Sequence, residues 1–149
     1  MKSLRLAVPL VFLFLIPNAA RAQGAPPEVA AEVETGAKAY NAGDIKYYQS
    51  SLADGAVYIA DDGMTFAGKE RVLALFTRLF AGQPAPQIVV SDVTTAIKGD
   101  VAWARFKWTR TKGPDSRKGM ATTLFTREAG VWKVAQIQNT PDGHAGGHH

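Results

Sequence analysis

An α+β fold follows from three features of the chain. Apolar residues recur at helical spacing only in the first half, over 28–42, 45–52 and 69–81. Four strand-type segments follow one another from Gln87 to Thr140. Turn-forming groups separate them: Lys98-Gly99-Asp100, the run from Lys112 to Ser116, and Glu128-Ala129-Gly130. Helices kept apart from strands imply a curved antiparallel sheet with three N-terminal-half helices laid over one face.

The first helix, Glu28 to Ala42, carries Val29, Val33, Ala37 and Tyr40 on one side. Glu28, Glu32 and Glu34 sit early and Lys38 late, as the helix dipole favours. Gly43 suits its C-terminus and Asp44 the N-cap of the next helix. That short helix aligns Ile45, Tyr48 and Leu52. Residues 54–60, "DGAVYIA", are rich in β-formers, and 63–67 read as extended. Lys69 to Ala81 forms a third helix with Val72, Leu73, Phe76, Leu79 and Phe80 on a broad apolar face, ended by "GQPAP". The strands are then 87–98, 101–111, 118–128 and 131–140.

Residues 1–22 read as a secretory signal peptide. Lys2 and Arg5 precede the apolar run Leu6–Ala19, and Ala20-Arg21-Ala22 fits a cleavage site before Gln23. The run is too short for a stable membrane span. Export to the periplasm or beyond is the expectation. Removing the leader takes away Lys2, Arg5 and Arg21, so the whole-chain net charge of +4 shrinks to near neutrality. That speaks against nucleic-acid binding, which wants a basic face. The chain has no cysteine. Residues 23–27 read as a flexible leader, 28–140 as one domain and 141–149 as a flexible Gly/His-rich tail. His144, His148 and His149 are the only histidines. They are weak metal candidates, since a mobile tail lacks the fixed second shell that metal selectivity needs. No cofactor is expected.

Alternation assigns the faces. Ala102, Ala104, Phe106 and Trp108 form the inner face of their strand; Trp103, Arg105, Lys107 and Thr109 form the outer. Trp132, Val134, Gln136 and Gln138 should share one face. Glutamines there suggest either exposure or a polar-spotted cavity, because an unpaired buried amide costs about 1–3 kcal/mol.

The segments "NAGD" (41–44), "LADGAVYI" (52–59), "AGKERV" (67–72) and "VWKVAQIQNT" (131–140) stand in the order and spacing of the nuclear transport factor 2-like superfamily. The chain resembles its ketosteroid-isomerase and SnoaL-like branches from Val29 to Thr140. The resemblance implies a cone-shaped barrel enclosing a pocket, and a homodimer formed through the outer sheet face. It also allows a residue-by-residue comparison. The isomerase base position falls on Ala60, the oxyanion-holding tyrosine on Gly36, and the protonated acid near Thr122 or Thr123. The base and oxyanion hole of that chemistry are therefore missing here. Asp61 comes one residue after the base position, a slip that turns a strand side chain to the other face. Asp61-Asp62-Gly63 reads as a solvated β-turn, with Asp61 a weak catalytic candidate should the strand bend at its end.

These readings favour a small, mostly apolar molecule bound in a conical pocket, and lean away from an enzyme. The lining residues are expected to be Tyr40, Tyr58, Phe66, Phe106, Trp108, Thr123, Gln136 and Gln138. One alternative is a SnoaL-like isomerase, cyclase or dehydratase using Asp61 or pocket tyrosines. The other is a dimeric envelope interaction module working through Trp103, Arg105 and Lys107.

Overall fold

The computed structural model describes residues 27–143. The expected leader and the three histidines lie outside them. Three helices and six strands run in the order α1 (Pro27–Ala42), α2 (Ile45–Ser51), β1 (Leu52–Ile59), β2 (Thr65–Ala67), α3 (Lys69–Ala81), β3 (Gln87–Lys98), β4 (Val101–Lys112), β5 (Asp115–Glu128) and β6 (Val131–Pro141). The α+β class and the three N-terminal-half helices are as the sequence indicates. Asp44 caps α2, its Oδ1 accepting from the amides of Lys46 and Tyr47 at 3.0 and 3.1 Å. Gly43 reverses the chain between α1 and α2 at φ 63°.

The strands form one sheet in the order β2-β1-β6-β5-β4-β3. It is mixed rather than purely antiparallel, because β1 lies parallel to β6. The whole segment from β2 to β5 intervenes between these two strands, which provides the long crossover a parallel pair requires. The sheet does not close into a barrel; β2 and β3 remain its edges.

Two hydrophobic groups build the interior. Val29 and Val33 of α1 pack with Ala102, Ala104, Phe106, Trp108, Ala121, Phe125 and Trp132 of the meander. Tyr40, Tyr48, Leu52, Ala56, Val72 and Phe76 form the other group, beneath α2 and α3. Small alanines on the concave face let α1 approach, and the aromatics fill the space beside them. Asn41 ties the end of α1 to β3, since its amide donates to Ile88 O and its Oδ1 accepts from Ile88 N.

Register irregularities bend the sheet. Leu124 pairs with Gln136 but Phe125 pairs with Val134, so Ala135 is extra in β6. Ser91 pairs with Lys107 and Thr94 with Arg105, a second bulge at Asp92-Val93, where Asp92 takes φ 54°. The bulge in β6 corrects the expected face assignment. Trp132 and Val134 face inward, but beyond Ala135 the alternation inverts. Ile137 and Asn139 then face inward, while Gln136 and Gln138 stand opposite the outward-facing Leu124 and Thr122.

The β4–β5 hairpin is tighter than the five-residue separator read from the sequence. Lys112 pairs with Asp115 across Gly113-Pro114, and Arg117 joins the ladder directly opposite Arg110.

Gly119 in β5 is a close-approach position. A Cβ there would overlap the Thr140 carbonyl oxygen and lie 2.6 Å from Trp108 Cζ2 and 2.9 Å from Pro141 Cα. Two of these three neighbours are backbone and cannot swing aside. Gly119→Ala is therefore expected to destabilise the fold by about 2 kcal/mol or more, read from urea unfolding midpoints. An unchanged midpoint would contradict this packing.

Candidate functional site

The two hydrophobic groups do not meet completely, and a chamber of about 100 Å³ lies between them. Val33, Gly36, Ala37 and Tyr40 of α1 form one wall, Phe106, Thr123, Phe125, Val134 and Ile137 of the sheet the opposite one. Tyr47 and Tyr48 of α2, Tyr58 of β1 and Phe76 of α3 complete it. All four tyrosines of the chain line this one space. Phe76 is the hub of three of them, with ring centroids 6.3, 4.5 and 5.3 Å from Tyr40, Tyr48 and Tyr58. Edge-on contacts of this kind stabilise aromatic clusters beyond area burial.

Each phenol keeps a polar edge within an apolar wall. Tyr48 donates to the Gly36 carbonyl at 2.9 Å, and Tyr47 to Glu32 Oε2 at 3.3 Å. Tyr47 also fills space that the missing side chain at 36 leaves open, because a Cβ there would sit 3.6 Å from the Tyr47 hydroxyl. Burial raises the pKa of all four phenols, that of Tyr47 to about 12 with the charge of Glu32 adding to the effect. For Tyr40 the guanidinium of Arg110 opposes the rise. These rings are therefore neutral donors at any ordinary pH.

A small lobe of about 30 Å³ adjoins the chamber and shares Tyr40, Tyr58, Ile88 and Asn139 with it. Trp108, Arg110 and Asp61 supply its other walls. Here the expectation of a solvated Asp61 is overturned. The turn itself is present, as Gly63 N donates to Ala60 O at 3.0 Å and Gly63 takes φ 86°. Asp62 stays exposed and accepts from Met64 N. The Asp61 side chain, however, is only 7% exposed, and its Oδ2 lies 3.2 Å from Arg110 and 2.9 Å from Arg117. Strand β1 ends at Ile59, so Asp61 escapes the strand alternation and folds back to the inner side. Arg110 and Arg117 need it there, since like charges directly opposite on neighbouring strands repel. Beyond them an outer hollow of about 240 Å³ is walled by Arg110, Lys112, Asp115 and Arg117.

Of the expected lining residues, the structure brings Tyr40, Tyr58, Phe106 and Thr123 to the chamber and Trp108 to the small lobe. Phe66 does not reach either; it pairs with Tyr58 on β2 and packs against that ring from outside. Gln136 and Gln138 face away, for the bulge reason given above. Thr122 faces outward beside Thr123. Asn139 takes the inner place expected for a glutamine, and its Nδ2 donates to Ile59 O at 3.0 Å. Arg110 was accessible to the alternation argument, being the next inward position after Trp108. Asn139 and Arg117 were not, because a bulge and a tight hairpin set their faces. Among the described residues no cluster of His, Cys, Asp or Glu could hold a metal ion.

Residues 29–140 match the SnoaL-like domain family. The chain belongs to that family. Solved structures of the nuclear transport factor 2-like fold superpose closely on it. A putative dehydratase from Streptomyces avermitilis has 18% identity, covers 79% of this chain and 97% of its own, and gives a TM-score of 0.71. A protein of unknown function from Pseudomonas putida has 21% identity, covers 80% and 88%, and gives 0.71. An uncharacterised cystatin-like protein from Caulobacter vibrioides has 14% identity, covers 77% and 87%, and gives 0.69. No curated protein matches the chain. These identities carry the fold, and the chemistry of this SnoaL-like chamber rests on its own residues.

The tyrosine environment has a direct readout. A phenol ionises near pH 10 when unfolded, and burial raises these pKa values in the folded state. The resulting stability is fully present below pH 10 and is lost as pH rises toward 12, the Tyr47 value. Ultraviolet titration should find little tyrosinate in the native protein at pH 10 and about half in urea. Half-ionisation of the native protein at pH 10 would contradict the buried cluster.

Proposed function

We propose that this SnoaL-like domain binds a small, mostly apolar molecule in its chamber. One observation carries the reading: the walls are mainly aliphatic and aromatic, with Glu32 held by Tyr47 at one margin and Asp61 and Arg110 at the small-lobe end. Such a space orients a ligand by its polar atoms and gains affinity from its apolar surface. A catalytic role of the dehydratase or isomerase kind is the second reading, favoured by Asp61 lying beside Tyr40 and Tyr58. The two arginines on Asp61 weigh toward an electrostatic role for it, and binding is the reading we adopt.

The leader-like sequence of residues 1–22 supports a periplasmic or secreted protein. On the outer sheet face, exposed Trp103, Met120 and Leu124 beside Arg105 and Lys107 support self-association. Native mass spectrometry of protein taken gently from its host compartment should find a chain starting at Gln23, a two-chain mass and a retained small molecule. A start at Met1 would reject export, and a single-chain mass would reject the dimer.

Gly36 offers a sharper test of the chamber. No atom lies closer than 3.6 Å to a Cβ built there. Gly36→Leu gains about 0.5–1 kcal/mol of helix propensity, directs its side chain at Tyr47, and is expected to fill the chamber and abolish uptake of apolar probes such as indole. Indole binding unchanged in this variant, by calorimetry, would reject the chamber as the binding site.

A further inference from the structure

The charge at the polar end is unbalanced in a way that the fold does not require. Arg110 and Arg117 face each other across β4 and β5, and a single carboxylate, Asp61, lies between them. Farther out, Lys112 and Asp115 stand opposite each other in the ladder and together add no net charge. One positive charge is left over where the small lobe meets the outer hollow, and Arg110 walls both spaces. Each guanidinium has five N–H donors, and Asp61 Oδ2 engages one terminal nitrogen of each. Donors remain on both forks. The ring of Trp108 walls the small lobe.

We infer that the ligand of this site is a small monocarboxylic acid, with its carboxylate on the donors of Arg110 and Arg117 that Asp61 leaves free and its apolar body in the tyrosine-lined chamber. The inference rests on the binding reading above and adds the chemical class. Planar guanidinium forks match a carboxylate geometrically as well as electrostatically. The single surplus charge fits one carboxylate, whereas a phosphate monoester brings about 1.5 to 2 negative charges. Asp61 is a positioning residue here. It holds two mutually repelling guanidiniums in place, so that the ligand need not gather them.

Calorimetric titration of the purified protein with matched pairs tests this. Benzoate, cyclohexanecarboxylate and hexanoate are each compared with the amide of the same body, and phenyl phosphate serves as the phosphate arm. At least one carboxylate is expected to bind about tenfold or more tighter than its amide. In Arg117→Gln the carboxylate-to-amide ratio should fall to about threefold or less. Arg117→Lys, which keeps the charge and loses the fork, should give an intermediate ratio. The ratio is taken within each variant, so a general loss of affinity cancels. Equal binding of acid and amide, or a ratio untouched in Arg117→Gln, overturns the inference and leaves the chamber reading standing. Tighter binding of phenyl phosphate than of benzoate overturns the carboxylate assignment. Absence of binding by every member at millimolar concentration overturns the chamber reading as well.

Discussion

A sheet cannot surround a chamber unless its strands bend, and here the bend depends on extra residues in the ladder. The bulge at Ala135 lies in β6, which pairs with both β1 and β5. Beside it the pairing of β1 with β6 also slips, between Leu52 and Val57. The bulge at Asp92-Val93 acts in the same way on β3. A bulge sharpens the local twist and swaps the faces of everything beyond it. Val134 and Ile137 therefore both point inward although three positions separate them, an arrangement regular alternation forbids. Asn139 reaches the small lobe, and Gln136 and Gln138 leave the interior, through the same single residue.

The bent sheet leaves two hydrophobic groups that share partners, Ile88 and Val134 packing against both, without filling the space between them. A void of this size costs on the order of 2 kcal/mol in an ordinary core. The tyrosines make it tolerable. Each presents an apolar ring to its neighbours, and the hydroxyls of Tyr48 and Tyr47 find a backbone carbonyl and a carboxylate at the margin. Phenylalanines at 47 and 48 would lack those anchors. Gly36 contributes by omission, since any side chain there would point at the ring of Tyr47.

Much of this was legible in the sequence. The caps Gly43 and Asp44, the apolar face of α3 and the alternation of Ala102 to Trp108 are local patterns, and local physics sets them. Helical spacing put Tyr40, and the resemblance put Gly36, on the inner side of α1. What the sequence concealed depends on contacts between distant segments. No periodicity marks Ala135 as the extra residue of β6, because a bulge is fixed by what the neighbouring strands require. Asp61 looked solvated beside Asp62 and Gly63, since its two arginines lie 49 and 56 positions later. Arg117 looked like loop because Gly113-Pro114 alone makes a turn for which five residues were available.

The position of Asp61 connects these levels. An acid in a turn is normally free to remain in water, and desolvating one is unfavourable unless charge partners repay it. Arg110 is inward by alternation, and the tight hairpin sets Arg117 against it. Two guanidiniums on adjacent strands are a repulsive pair that a neutral residue in the β1–β2 turn would leave unrelieved. The acid is drawn inward by that pair, which explains why Asp61 turns into the small lobe while Asp62 stays exposed. One carboxylate relieves only half of the charge. The remaining half lies at the junction of the outer hollow and an apolar space. The asymmetry is the physical mark of a place for one more acceptor.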